Sequence, residues 1–213
     1  PAMDPDEIDA GFTEEGFDHV VEAQESGRGV ILALPHLGGW DWAGSWVSRV
    51  VGFPVAAVVE PLEPPELFEW FRDYRRSYGI EVIALGPEAG GDVQRALREG
   101  AVIVLLSDRH VGGGGVEVEF FGEVTTLPAG PAILALRTGA ALIPATAYIR
   151  RRGCHGVARP PIPVEREGRF REDVVRVTRA LAAELEDLIR AEPEQWHLLQ
   201  PNWPSDRVGS GGP

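Results

Sequence analysis

Five short apolar runs constrain the fold of this chain more than any other feature of its sequence. They are rich in β-branched residues and occupy residues 29–35, 54–59, 80–85, 101–106 and 141–149. Stretches with helical character lie among them, at about 41–51, 64–78, 91–98 and 129–138. Strands of a parallel sheet are buried on both faces, so they read as continuous apolar runs. The sequence therefore predicts an α/β fold with a mostly parallel central sheet that helices flank on both faces.

The remaining segments predict the outline of a single domain over residues 1–204, with a flexible tail at 205–213. Residues 115–122, GVEVEFFG, alternate in polarity and predict an edge strand or one arm of a hairpin. Valine and leucine recur at helical spacing from about 171 to 191 and predict a long helix. Residues 1–25 read as an acidic, partly helical lead-in that begins abruptly, and we expect a piece excised from a longer chain.

Composition limits the classes of function. The formal net charge is −13 and all 20 basic residues are arginine, which disfavours nonspecific nucleic-acid binding. No apolar stretch approaches the roughly 18 residues of a membrane-spanning helix, so we expect a protein that is soluble or bound at a membrane surface. The single Cys154 cannot form an intrachain disulfide. We predict no metal, because the histidines show no metal-ligand spacing with Cys154 or with one another.

The segment ALPHLGGWDWAG, residues 33–44, places a histidine five positions before an aspartate. On one helix His36 and Asp41 would point about 140° apart, so the pair makes sense only across a break in regular structure. Gly38 and Gly39 permit a turn after the strand, and Asp41 then falls at the cap or first turn of the next helix. Asp41 is therefore predicted to accept the ring N–H of His36 and leave the other nitrogen as a base. A capping aspartate with no catalytic partner fits the same spacing.

This segment, followed by VEVEFFGEVTTLPAGPAILALRTGAALIPA, resembles the HxxxxD/E acyltransferases of lipid A assembly and their actinobacterial relatives. The likeness runs from about residue 28 to WHLLQPNW and is strongest to the branch that acylates phosphatidylinositol mannosides. It implies a glycerolipid acyltransferase-like α/β domain that moves an acyl chain from a thioester to a sugar or lipid hydroxyl. Members carry a further N-terminal portion, often helical and membrane-associated, before the matched segment.

Carried over position by position, the resemblance implies His36 as general base and Asp41 as its partner. Asp108, in LLSDRHV, matches a second acidic position that faces the histidine. Arg75 and Glu60 match substrate-binding positions of the active site. Without the resemblance, Asp108 reads equally well as a solvated residue at a strand end.

The helix PPELFEWFRDYRRSYG supports Arg75 independently of the family. Its predicted apolar face consists of Leu67, Trp70, Phe71 and Tyr74. Arg75 projects about 80° from Leu67, at the edge of that face, and is expected to be partly buried. An arginine whose stem packs along the helix while its head stays in water is the alternative.

The expected reaction transfers a long-chain acyl group from acyl-CoA or acyl-carrier protein, as co-substrate, to a glycolipid such as a phosphatidylinositol mannoside. No other cofactor is expected. The expected location is the cytoplasmic face of the inner membrane, as a peripheral protein. A lysophospholipid acyltransferase, an acyl thioesterase and a catalytically silent lipid-binding module remain alternatives.

Overall fold

The structure is a computed structural model and describes residues 4–112 and 114–207. The strands of this part are β1 (Phe12–Glu15), β2 (Val30–Leu34), β3 (Val55–Val59), β4 (Ile80–Ala84), β5 (Val102–Leu106), β6 (Gly115–Phe120), β7 (Glu123–Pro128), β8 (Ala141–Arg150) and β9 (Gly153–Ala158). The helices are α1 (Pro5–Ala10), α2 (Asp18–Glu25), α3 (Trp40–Trp46), α4 (Pro65–Ser77), α5 (Ala89–Arg98), α6 (Gly130–Thr138) and α7 (Phe170–Ala191). A π-helical turn, Val47–Val51, extends α3.

A seven-stranded sheet in the order β1-β9-β8-β2-β5-β3-β4 forms the centre of the fold. All neighbouring strands are parallel except β8 and β9. The five apolar runs of the sequence become β2, β3, β4, β5 and β8. The predicted α/β class with a mostly parallel sheet is therefore confirmed.

Helices cover both faces of the sheet, as predicted. Ile31 and Ala33 of β2 belong to a buried cluster that α5, α6 and α7 close from one side. Val30 and Leu34 belong to a second cluster, which α2 and the end of α3 complete. Successive residues of a strand point to opposite faces, so one continuous apolar run supplies both clusters.

The acidic lead-in contributes a strand that the sequence analysis did not predict. β1 pairs with β9 in parallel at one edge of the sheet, with Phe12 opposite Cys154. Its sequence, FTEE, is short and mostly exposed, so it lacks the apolar run by which the central strands were found. β9 was also missed, because its sequence, GCHGVA, contains two glycines, which are rare in strands.

Residues 115–122 form the first arm of a hairpin. β6 pairs with β7 in an antiparallel sheet of two strands that stands apart from the central sheet and packs on α7. The last described residues form a 3₁₀ turn, Pro204–Arg207, and the Ser205 hydroxyl donates a hydrogen bond to Glu123 at 2.7 Å. The rest of the predicted flexible tail, residues 208–213, lies outside the described residues. None of the described helices combines the length and the apolar character that a bilayer crossing requires.

The loop after β2 is held between β8 and the segment that follows α7. Gly39 N–H donates to the Ala147 carbonyl at 2.7 Å, and His197 N–H donates to the His36 carbonyl at 2.7 Å. Gly38 adopts φ +67°, and a Cβ there would lie 2.0 Å from the Ala147 carbonyl oxygen. Only glycine allows the loop to approach β8 this closely, which fixes where the following helix begins.

Gly38→Ala should destabilise the protein more than Gly52→Ala. Both glycines have positive φ, so either alanine incurs a left-handed backbone cost of about 1–2 kcal/mol. At Gly52 an added Cβ meets nothing within 4 Å, whereas at Gly38 backbone must also move. The free energy of unfolding, measured with denaturant for both variants, tests this difference. Equal losses would show that the approach of the loop to β8 is not a tight constraint.

Candidate active site

The candidate site lies at the carboxyl ends of the central strands. β2 and β5 are neighbours, and the register places Leu34 opposite Leu106. His36 and Asp108 each follow two residues beyond that pair, so the two strands deliver them to the same place. Glu60 follows β3, which pairs with β5 on its other side. The carboxyl edge of a parallel sheet is where α/β proteins commonly bind their ligands.

His36 and Asp108 form the central contact of the site. The His36 Nδ1 atom lies 2.6 Å from Asp108 Oδ1, and the His36 backbone N–H donates to Asp108 Oδ2 at 2.9 Å. An ionised carboxylate only accepts hydrogen bonds, so Nδ1 carries the proton and Nε2 is left with its lone pair. Among the described residues only Asp108 hydrogen-bonds the ring, whose side chain is 24% exposed. The imidazole is therefore oriented, and its free nitrogen is accessible.

Asp108 is fully buried, yet three N–H groups compensate its carboxylate. Besides the two from His36, the indole N–H of Trp196 donates to Oδ2 at 2.7 Å. The Asn202 side-chain amide also donates to the Asp108 backbone carbonyl at 3.1 Å. A buried negative charge held this way favours a positive charge on the adjacent imidazole. The arrangement suits a histidine that gains a proton during a reaction.

Asp41 occupies a different place from the predicted one. It lies in the first turn of α3 and accepts a hydrogen bond from Arg75 Nε at 2.9 Å, rather than from His36. The predicted His36–Asp41 hydrogen bond is wrong in this structure, because β5 lies directly beside β2 and its aspartate reaches Nδ1. The turn at Gly38 and Gly39 instead carries Asp41 toward α4.

Arg75 is largely buried, with 17% of its side chain exposed, as expected from its position at the edge of the apolar face of α4. Its guanidinium carbon lies 4.8 Å from the centre of the Trp40 ring and 5.7 Å from that of Phe71. The apolar face itself is not buried as a helix in a core would be. Trp70 is 58% exposed, and Leu67 and Tyr74 are also exposed. In α4 the neighbouring residues therefore cover the Arg75 side chain more than they cover Leu67, Trp70 and Tyr74.

A cavity of about 650 Å³ opens beside His36. Its polar border includes His36, Arg75, and the ion pair between Glu60 and Arg109. Much of the remaining wall is aliphatic, with side chains from β3, β5, α5 and α6: Val58, Val59, Val93, Leu105, Leu106, Ile133 and Leu134. The cavity therefore combines ionisable groups with an extensive apolar surface.

Sequence reasoning missed three residues of the site. Trp196 and Asn202 hold Asp108, and Arg109 pairs with Glu60. The two tryptophans of WHLLQPNW indicate aromatic packing, and Trp196 does lie 5.5 Å from Phe121, ring centre to ring centre. The polar indole and amide groups of that segment were the available signal, since buried Trp and Asn side chains need partners.

Cys154 lies apart from His36, on β9, and is only 3% exposed. Burial raises the pKa of its thiol to about 11. Within residues 4–112 and 114–207, no three His, Cys, Asp and Glu side chains are grouped as metal ligands.

The Cys154 thiol should react slowly with iodoacetamide at neutral pH in the folded protein. The thiolate is the nucleophile, so the rate should rise with pH until it levels off near the raised pKa, about 11. Mass spectrometry of the alkylated chain measures the rate, and the denatured chain, with an ordinary cysteine pKa, is the control. Equal reactivity of folded and denatured protein at pH 7 would contradict the burial.

Trp196→Phe should lower the free energy of unfolding more than Trp203→Phe. Both indoles lie in one aromatic cluster, but Trp196 donates to the buried Asp108 carboxylate and Trp203 to the Phe120 carbonyl at 2.9 Å. A hydrogen bond to a charged group contributes about 1.5–3 kcal/mol and a neutral one about 0.5–1.5 kcal/mol. Denaturant titration of both variants tests the order, and a reversed order would count against the role given to Trp196.

Comparison with known proteins identifies the family of this chain. The model of the bacterial lipid A biosynthesis acyltransferase family matches residues 1–205. A phosphatidylinositol mannoside acyltransferase of Mycobacterium tuberculosis is 40% identical over 197 residues, which are 90% of this chain and 60% of that protein. One from Mycolicibacterium smegmatis is 38% identical over 212 residues, 97% of this chain and 67% of that protein. The chain thus spans about three fifths to two thirds of these relatives and belongs to the bacterial lipid A biosynthesis acyltransferase family.

Proposed function

We propose that the protein transfers a long-chain acyl group from an acyl thioester to a hydroxyl of a membrane glycolipid such as a phosphatidylinositol mannoside. The observation that carries this proposal is that His36, paired with Asp108, lines a cavity whose other walls are mainly aliphatic. The names of the relatives support the acceptor class. The donor is either acyl-CoA or acyl-carrier protein.

In the proposed reaction His36 acts as general base. Nε2 takes the proton of the acceptor hydroxyl while the hydroxyl oxygen attacks the thioester carbonyl carbon. The C–O bond forms, the C–S bond breaks, and the thiolate that leaves takes the proton back from the imidazolium. Asp108 stabilises the imidazolium between these steps through the hydrogen bond at Nδ1. The thiol of Cys154, protonated at neutral pH, has no part in this direct transfer.

The cavity divides the substrates between its two ends. The acyl tail lies against the aliphatic wall, where each buried CH₂ contributes about 0.8 kcal/mol. The acceptor hydroxyl and the polar parts of both substrates stay near His36, where Arg75 and Glu60 contact them. Asp41 acts through Arg75, because their 2.9 Å hydrogen bond holds the guanidinium at the border of the cavity. It is thus proposed as a positioning residue rather than as the partner of the base.

The proposal includes docking at the cytoplasmic face of the inner membrane. Trp70, Tyr74 and Leu67 are exposed on the same helix whose Phe71 lines the cavity. Aromatic side chains in such a position suit the interface between lipid and water. An acceptor lipid would then reach the site without leaving the membrane surface.

His36→Ala should abolish transfer, with a loss of at least about 10²–10⁴-fold in kcat, because it removes the imidazole that is proposed to take the hydroxyl proton. Radiolabelled acyl-CoA and a phosphatidylinositol mannoside, added to the purified protein, provide the assay. His19→Ala is the matched control, since His19 lies on α2 and lines neither the cavity nor its border. The fold of both variants is checked by thermal unfolding.

Two results would contradict the proposal. Near-normal transfer by a folded His36→Ala protein would remove the base assignment. Release of free fatty acid by the unchanged protein, faster than any transfer product forms, would instead favour a thioesterase.

A further inference from the structure

A second cavity lies on the other side of Arg75. It has a volume of about 390 Å³ and is bounded by α1, α3, α4 and the β8–β9 turn. Arg75 lines both cavities, and Asp41, its ion-pair partner, lines only the second. Asp41 does not hydrogen-bond His36, and its side chain lines the second cavity instead.

One polar group in the lining of this cavity, the Ser45 hydroxyl, lacks a hydrogen-bond partner among the described residues. Ser45 lies on α3 and is 2% exposed. A buried hydroxyl without a partner is costly, so such groups usually indicate a missing water or ligand. Ser45 lines the second cavity, where a bound group can supply the missing hydrogen bond.

The side chains that line the cavity indicate what kind of ligand could supply this hydrogen bond. Trp42, Tyr74 and Tyr78 present aromatic surface, and the rings of Tyr74 and Tyr78 lie 4.8 Å apart. Flat aromatic rings suit the C–H faces of a saturated ring. The Asp41 carboxylate accepts hydrogen bonds, while the N–H groups of Arg75 beyond Nε donate them. Donors and acceptors beside aromatic faces match a ring that carries several hydroxyl groups.

The charge of the cavity wall disfavours an anion. Asp41 lies 2.9 Å from Arg75 and offsets its positive charge, and Arg150, also in the wall, is paired with Glu192. A phosphate would be repelled by Asp41 and would meet arginines whose positive charge Asp41 and Glu192 already offset. A neutral polyol ring meets no such repulsion.

From these observations we infer that the second cavity binds a neutral, hydroxylated ring of the acceptor lipid, a sugar or cyclitol other than the ring that is acylated. The inference rests on the proposed function only for the identity of the acceptor. The shared Arg75 links this ring to the first cavity, so binding in one space positions the acceptor hydroxyl in the other. Selection among acceptors then depends on Ser45 and Asp41, which do not touch the reacting atoms.

Protein NMR tests binding without requiring transfer. The probes are methyl α-mannopyranoside, myo-inositol and inorganic phosphate, each titrated into ¹⁵N-labelled protein beyond the millimolar range. The Trp42 indole signal, assigned with Trp42→Phe, should shift saturably with at least one polyol and not with phosphate. The Trp203 indole, which stacks on Phe120 in another cluster, should not move and serves as the control.

Variants then separate this inference from the proposed function. Ser45→Ala should weaken polyol binding several-fold, whereas His36→Ala should leave it unchanged because His36 does not line this cavity. In the transfer assay Ser45→Ala should raise KM for the glycolipid with little change in kcat. No Trp42 shift with either polyol, an equal shift with phosphate, or unaltered binding by Ser45→Ala would each overturn the inference. None of these results depends on whether transfer occurs.

Discussion

The rest of the site depends on one interaction, the hydrogen bond between the His36 ring and the buried Asp108 carboxylate. Without partners, a carboxylate at this depth would be too costly to keep ionised. The three N–H groups that reach it come from the loop after β2 and from the segment after α7. This pair is therefore also a structural link between the carboxyl edge of the sheet and the segment after α7.

Because Asp108 already forms the hydrogen bond at Nδ1 of His36, Asp41 is not needed to orient the ring. It holds Arg75, whose side chain lines both a cavity with mainly aliphatic walls and a smaller cavity with aromatic walls. The two cavities suit a reaction with two unlike substrates, one mostly hydrocarbon and one mostly hydroxylated. In the proposed reaction Arg75, which lines both cavities, would couple the placement of one substrate to that of the other.

The sequence predicted some parts of the fold and of the site and missed others. The β2 and β5 runs predicted where His36 and Asp108 would emerge, because apolar runs reveal buried strands. β1 was missed because it is short and mostly exposed, and β9 because it contains two glycines, so neither strand has such a run. The apolar face of α4 correctly predicted that Arg75 is partly buried, yet most of that face is itself exposed. Amphipathic spacing shows that a helix has an apolar face but does not show which element, if any, packs against it. The role of Trp196 was missed because its partner, Asp108, is 88 residues away in the sequence.

By itself, the sequence determined the α/β class and the strand ends that carry the polar residues, because these follow from local periodicity, and its motif singled out His36 as the base that we propose. Only the tertiary structure decided which acid the histidine meets. The physical reason is strand order: β2 pairs with β5 and β8 rather than with β3, the next strand along the chain. The hydrogen bonds between strands that set this order join residues distant in sequence, so a local pattern cannot reveal them.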